Sequence, residues 1–123
     1  MVKNLKKSIH NKNMKKYCLA LDLVNDTELI AEYEKYHADV WPEIKKSIID
    51  SGISQMEIYR TGNRLFMIME TDENFSFDEK GKADAANPKV QEWENLMWKY
   101  QQALPGSKPG EKWITMDKIF NLV

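Results

Sequence analysis

The chain has few of the residues that build disulfides and metal sites. Its 123 residues include one cysteine, Cys18, and two histidines. A single cysteine cannot close an internal disulfide, and no group of His and Cys residues has the close spacing of a zinc site. We therefore predict no metal site, and we expect a reducing compartment such as the cytoplasm.

Long hydrophobic runs are also missing. No stretch approaches the roughly 20 apolar residues that a membrane-spanning helix needs, and no apolar run of secretory-signal length follows the N-terminal lysines. The hydrophobic content of 42% and the charged content of 30% are ordinary for a globular protein. The length suits one domain with its own core, so we expect a single domain that does not enter a membrane.

Acidic residues are absent from the first 16 positions, which carry six lysines. The remaining chain has 12 basic against 19 acidic residues, so it repels phosphate backbones. The basic stretch also lacks interleaved aromatic residues, and nucleic-acid binding is therefore not expected. We interpret residues 1–14 as a basic, disordered leader and residues 15–123 as the folded domain.

Hydrophobic periodicity predicts alternating strands and helices. Asn25 and Glu28 have the spacing of a capping box at the start of the first helix, and Thr61-Gly62-Asn63 has the composition of a hairpin turn. The predicted elements are a strand over 17–23, a helix from 25 to about 37, a helical segment over 42–52, strands over 53–60 and 64–70, a short helix and loop over 72–86, a helix from 87 to about 105, and a strand over 113–122.

The predicted order of elements is β, α, β, β, α, β, which is the ferredoxin-like arrangement of the α+β class. The strand over 64–70 is apolar on both faces, so we place it in the centre of an antiparallel sheet. Helices on one face leave the other face uncovered. We expect a homodimer in which two such sheets stack as a dimeric α/β barrel and cover each other.

His37 lies on the buried side of the first predicted helix. At about 100° per residue it shares a face with apolar and aromatic residues, whereas Glu34 and other charged residues point elsewhere. Tyr33 is one turn earlier, so the two side chains are neighbours. An imidazole titrates near neutral pH and exchanges protons readily. The spacing alone fits both a core histidine bonded to a backbone carbonyl and an acid–base residue in a pocket.

Aromatic residues are concentrated where the predicted helices face the sheet. Such stripes usually build the core. With one ionisable group beside them they also suit a sugar, because the C–H face of a pyranose stacks on an aromatic plane while its hydroxyls form hydrogen bonds. The residues concerned are Tyr33, Tyr36, Trp41, Trp93, Trp98 and Tyr100.

Two sequence blocks are more specific than periodicity. The first is Tyr-x-x-x-His followed by Trp-Pro-Glu, and the second is Val-x-x-Trp-x-x-x-Met in the last predicted helix. With these blocks, the chain resembles the L-rhamnose mutarotase family from about residue 15 to residue 122. The residues that carry the resemblance are Tyr33, His37, Trp41, Pro42, Glu43, Val90, Trp93 and Met97.

The resemblance implies a small homodimeric enzyme of ferredoxin-like fold, an isomerase of the aldose 1-epimerase type. Such an enzyme interconverts the α and β anomers of a 6-deoxy hexose and uses neither a metal nor an organic cofactor. By position, the resemblance makes His37 the proton donor. It makes Tyr33 and Trp93 contacts to the sugar.

Two positions depart from the pattern of the family's rhamnose enzyme. Met56 stands where that enzyme has a tyrosine, and Trp93-Glu94 stands where it has two tryptophans. Both are pocket positions, so we count Met56 and Glu94 among the predicted substrate-binding residues. A buried acceptor left unpaired costs about 1–3 kcal/mol, so a carboxylate at this position changes which arrangement of hydroxyls is favoured. We predict a preference for an L-fucose-type sugar, with L-rhamnose as the other candidate.

Two other functions fit the same architecture. One is a haem-binding or oxygenase-like protein of the dimeric α/β-barrel group, which shares the fold. The other is a sugar-binding module without catalytic activity. The fold alone does not separate these from a mutarotase, so the residues of the site must do so.

Overall fold

The computed structural model describes residues 14–123. The predicted basic leader over 1–14 lies outside the described residues, apart from Met14. The elements are β1 (Lys15–Leu23), α1 (Thr27–Ala38), α2 (Pro42–Asp50), β2 (Ile53–Thr61), β3 (Arg64–Thr71), α3 (Phe77–Ala85), α4 (Pro88–Trp98), β4 (Gln101–Gln102) and β5 (Ile114–Thr115).

The strands form one antiparallel sheet in the order β2-β3-β1-β4. The short strands β4 and β5 both pair with β1, β4 at residues 22–23 and β5 at residues 19–20, so they occupy successive parts of one edge. β3 lies between β2 and β1, as its two apolar faces predicted. The arrangement is the predicted ferredoxin-like α+β fold.

The core lies between one face of the sheet and the helices. Leu21 and Leu23 of β1 are fully buried there, and burial of such a side chain contributes about 1.5–3 kcal/mol. One cluster joins α1, α2 and α4 to the sheet. Its buried members are Leu23, Tyr33, Ile44, Leu65, Val90, Trp93, Met97 and Tyr100.

The opposite face of the sheet has an apolar centre that is only half-buried, with charged residues toward both ends of β1 and β3. Cys18 lies beside Ile68, and Ala20 lies beside Phe66, across the pairing of β1 with β3. The periodicity that buries one face of these strands thus leaves apolar side chains on the other. This surface is referred to below as the open face.

The hairpin turn between β2 and β3 fixes the point at which α1 begins. Leu23 N–H donates to the Asn63 carbonyl at 2.7 Å, and the Asn63 side-chain amide donates back to the Leu23 carbonyl at 3.0 Å. The first residue of α1, Thr27, follows four residues after Leu23. The turn therefore ties the strand end to the helix that carries His37.

Three helix boundaries can be compared with their prediction. Pro42 is the first residue of α2, as predicted. The cap of α1 is Asp26 rather than Asn25, since its carboxylate accepts a hydrogen bond from Leu29 N–H at 2.9 Å. α4 ends at Trp98 and not near 105, because the chain turns there and pairs Gln101 with Leu23.

The predicted last strand over 113–122 is mostly wrong. Only Ile114–Thr115 pairs with β1, and Met116 N–H makes a final hydrogen bond to the Cys18 carbonyl at 2.7 Å. Beyond it, Ile119 is 96% exposed and Phe120 is 75% exposed. A strand needs a partner edge, and within residues 14–123 the chain beyond Met116 has none. The alternation of apolar residues predicted the strand without revealing this.

Candidate functional site

His37 lies in the last turn of α1, and its ring contacts two aromatic side chains. The ring centroids are 4.2 Å from Tyr33 and 5.6 Å from Trp93. Its Nδ1 is 2.9 Å from the Tyr33 backbone carbonyl. A carbonyl only accepts, so in the neutral ring Nδ1 carries the proton and Nε2 keeps its lone pair. The structure therefore fixes the tautomer through the helix that carries the ring.

Burial lowers the pKa of His37 below its usual value of 6.5, and the hydrogen bond to the Tyr33 carbonyl opposes this shift in part. The imidazole is therefore neutral at pH 7. In that state Nε2 accepts a proton. The ring bonds to a backbone carbonyl, as in a core histidine, but it is only half-buried. Its acid–base role stays a prediction.

A cavity of about 530 Å³ opens beside His37. This volume lies within the range of small-molecule sites. The wall comes from the end of α1 and from β2 and β3, and it combines apolar, aromatic and charged side chains. The lining residues are Tyr33, Glu34, His37, Ala38, Ile58, Tyr59, Arg60 and Leu65.

Tyr33 is almost fully buried and supplies a phenol at the same cavity. Burial raises its pKa to about 12, while the nearby Gln101 side chain lowers it in part. The phenol therefore keeps its proton at neutral pH and acts as a hydrogen-bond donor or acceptor. Tyr33 and His37, four residues apart, meet as their spacing predicted.

Trp93 supports the histidine ring from α4. It is 8% exposed, and its ring centroid is 5.0 Å from that of Trp41 and 6.3 Å from that of Tyr36. It contacts His37 edge-on, but it is not among the residues that line the cavity. The structure thus brings Tyr33, His37 and Trp93 together.

Met56 and Glu94 lie apart from this cavity. Met56 packs against the second core cluster, which contains Leu19 and Ile53. Glu94 accepts a hydrogen bond from the Gln91 side chain at 3.3 Å, and its charge raises the pKa of Lys112 against the lowering effect of burial. Neither lines the cavity, so contact of either residue with substrate stays a prediction.

Glu34 and Arg60 line the cavity, and neither was among the predicted site residues. Arg60 Nε donates to Glu34 Oε1 at 2.5 Å, which joins β2 to α1. Glu34 is three residues before His37, a spacing that places side chains side by side on a helix. That spacing was the available signal, but the charge of Glu34 favoured a solvent-facing interpretation.

Residues 14–123 contain no group of three or more His, Cys, Asp or Glu side chains arranged to hold one metal ion. Within the same residues, every helix is too short or too polar to cross a bilayer.

Comparison with known proteins identifies the family. The model of the family described as L-rhamnose mutarotase matches residues 16–122. The chain belongs to the L-rhamnose mutarotase family. As a member of this family it is an isomerase that interconverts sugar anomers. This membership supports the mutarotase interpretation over the haem-binding one.

Individual relatives agree with this assignment. The chain is 46% identical over 112 residues to a protein of Xanthomonas campestris pv. campestris named L-fucose mutarotase, covering 89% of this chain and 90% of the relative. It is 38% identical over 93 residues to the L-rhamnose mutarotase of Phocaeicola vulgatus, covering 74% and 84%. The solved L-rhamnose mutarotase of Formosa agariphila has the same fold, with a TM-score of 0.65 and 22% identity over 89% of this chain and 99% of that one.

Proposed function

We propose that this mutarotase acts on a 6-deoxy hexose of the L-fucose type and that His37 moves the proton. The observation that carries the proposal is the fixed tautomer of His37 beside a sugar-sized cavity. Its Nδ1 is engaged by the Tyr33 carbonyl, so Nε2 is the nitrogen left for proton exchange.

The reaction needs one net proton transfer. When the ring opens, the anomeric hydroxyl loses its proton, the bond from C1 to the ring oxygen breaks, and the ring oxygen gains a proton. Neutral His37 Nε2 takes the first proton, and the resulting imidazolium is the proton donor to the ring oxygen. The aldehyde then rotates, and closure by the reverse steps gives the other anomer. General acid–base help of this kind contributes about 10² to 10⁴ in rate.

The aromatic residues position the sugar and the histidine. We propose that the Tyr33 hydroxyl hydrogen-bonds the sugar. We also propose that the Trp93 ring holds the imidazole in place and that the edge of the indole contacts the substrate. The substrate contacts predicted for Met56 and Glu94 remain predictions. Kinetics of Met56→Tyr and Glu94→Gln test them, because a substrate contact shifts KM whereas a distant residue leaves it unchanged.

The L-fucose preference rests on the higher identity to the relative named L-fucose mutarotase, at 46% against 38% for the relative named L-rhamnose mutarotase. Saturation-transfer NMR measures anomer exchange on each sugar at equilibrium. We expect faster enzymatic exchange on L-fucose than on L-rhamnose, and loss of the exchange in His37→Ala. Faster catalysis on L-rhamnose would reject the proposed preference and leave the activity intact.

We further propose that the protein is a homodimer built on the open face. The half-buried side chains of this face, such as Phe66 and Ile68, and the exposed Ile119 and Phe120 are the support. Stacking the sheets of two copies would remove these apolar surfaces from water. Analytical ultracentrifugation should give twice the chain mass, whereas the mass of a single chain at micromolar concentration would reject the dimer.

We also propose that residues 15–123 form a single mutarotase domain and that residues 1–14 are dispensable for the activity. A chain starting at residue 15 should keep the anomer-exchange rate of the full chain, and a large loss would reject the division.

The single cysteine supports a cytoplasmic location, which fluorescence imaging of the tagged chain in its host would test.

A further inference from the structure

We propose that Glu34 and Arg60 bind adjacent hydroxyls of the sugar and set the sugar preference of the cavity beside His37. This inference rests on the proposed function, because it assigns substrate contacts in the same cavity. It adds two charged residues to a site so far described by its histidine and aromatic rings.

The two side chains meet at the cavity wall from different elements. Arg60 pairs with Leu65 across β2 and β3, and Leu65 is buried toward the helices, so Arg60 points to the same side. Glu34 reaches it from α1, one turn before the end of the helix. Both residues line the cavity together with His37.

Arg60 is held in place but keeps bonding capacity. Its Nε donates to Glu34 and one terminal nitrogen donates to the Gly62 carbonyl at 2.8 Å. A guanidinium has five N–H donors, so these two contacts leave three for other partners. Glu34 accepts from Arg60 through one carboxylate oxygen, and a carboxylate has a second.

Folding stability does not account for this ion pair. The side chains of Arg60 and Glu34 are 38% and 53% exposed. Ion pairs that are hydrated to this extent contribute little to the free energy of unfolding. Another exposed pair, Lys46 with Asp50 on α2, also joins a cation to a carboxylate but lies away from the cavity. It therefore provides a matched control.

The pair is complementary to two neighbouring hydroxyls. Each hydroxyl is both a donor and an acceptor, so a carboxylate accepts from one while a guanidinium donates to the next. The opposite charges cancel, which suits a neutral sugar. L-Fucose and L-rhamnose differ in which ring hydroxyls are axial. A guanidinium and a carboxylate held side by side therefore favour one hydroxyl arrangement over the other.

The test measures kcat and KM by NMR anomer exchange on L-fucose and L-rhamnose for Glu34→Gln, Arg60→Met and Arg60→Lys. Lys46→Met and Asp50→Asn are the controls. Calorimetric binding of methyl α-L-fucopyranoside, which cannot open its ring, gives affinity without catalysis. Thermal melting of every variant separates loss of binding from loss of the fold.

We expect Glu34→Gln and Arg60→Met to raise KM and weaken glycoside binding by about tenfold or more, as for loss of a charge-assisted hydrogen bond. The ratio of kcat/KM between the two sugars should move toward one, Arg60→Lys should recover part of the loss, and the controls should match wild type.

If Glu34→Gln and Arg60→Met kept wild-type binding and sugar preference, this inference would be overturned and the proposed function would stand. A fall in the kcat of Glu34→Gln with an unchanged KM would also overturn it, because it would make Glu34 a proton-transfer residue. Absence of catalysis by the wild-type protein on any tested sugar would instead overturn the proposed function.

Discussion

Replacing His37 by alanine tests whether its imidazole acts in catalysis or only in packing. In His37→Ala, the Tyr33 and Trp93 rings that contact the imidazole remain, and so does the cavity. The lost function is proton transfer at Nε2, so kcat should fall by about 10² to 10⁴. At 1.36 kcal/mol per factor of ten, this corresponds to about 2.7 to 5.4 kcal/mol of activation free energy. KM should change much less, since the binding groups are retained.

Added imidazole should restore part of the rate in His37→Ala. The vacated space next to Tyr33 offers the same backbone carbonyl that engages Nδ1 at 2.9 Å in the wild-type protein. Because imidazole catalyses mutarotation in solution, its rate without protein is subtracted, and Lys46→Met with imidazole is the control. Saturation-transfer NMR provides the rates, and circular dichroism checks that the variant is folded.

Two results would refute the reasoning about His37. A folded His37→Ala variant with a loss in kcat below about threefold would mean that the imidazole moves no proton in the rate-limiting step. A large loss of kcat that imidazole does not restore, together with a lowered melting temperature, would mean that the ring acts through packing.

Three further predictions concern pH, a turn and the chain end. Because burial lowers the pKa of His37 and the neutral ring starts the reaction, kcat/KM should be highest near neutral pH and fall as the pH drops through the lowered pKa. A rise on acidification would contradict the proton relay. Gly52 has a φ of +101°, and a Cβ added there would lie 2.8 Å from the Asp72 carboxylate. Gly52→Ala should therefore lower the free energy of unfolding, measured in urea, by about 1–3 kcal/mol. An unchanged urea midpoint would be contrary evidence. Deleting residues 118–123 removes the exposed Ile119 and Phe120, so sedimentation should show a weaker dimer. An unaltered dissociation constant of the dimer would show that these residues lie outside the interface.

Local patterns predicted most of the fold because they reflect local physics. Strict alternation identified β1, and the apolar residues on both sides of β3 identified a central strand. Pro42 marked a helix start through its fixed backbone angle. The pattern failed for the segment after Met116, because pairing depends on an edge contributed by another part of the chain.

The part of the site that lies on a single helix was predictable from the sequence. Tyr33 and His37 are four residues apart, and helical geometry alone brings them together. Arg60 joins the cavity only through the register of β2 with β3 and through the position of α1 over the sheet. The sequence contains no direct signal for that contact. Met56 and Glu94 were chosen from the resemblance; neither lines the cavity beside His37, and their contact with substrate stays a prediction.

The position of β1 in the sheet has a consequence for biosynthesis. It is the first strand of residues 14–123 to leave the ribosome, yet it pairs with β3, β4 and β5, which follow up to about a hundred residues later. The nascent chain cannot complete its sheet until residues 114–115 have emerged. Until then the edge of β1 that β5 will occupy is open to pairing with other chains.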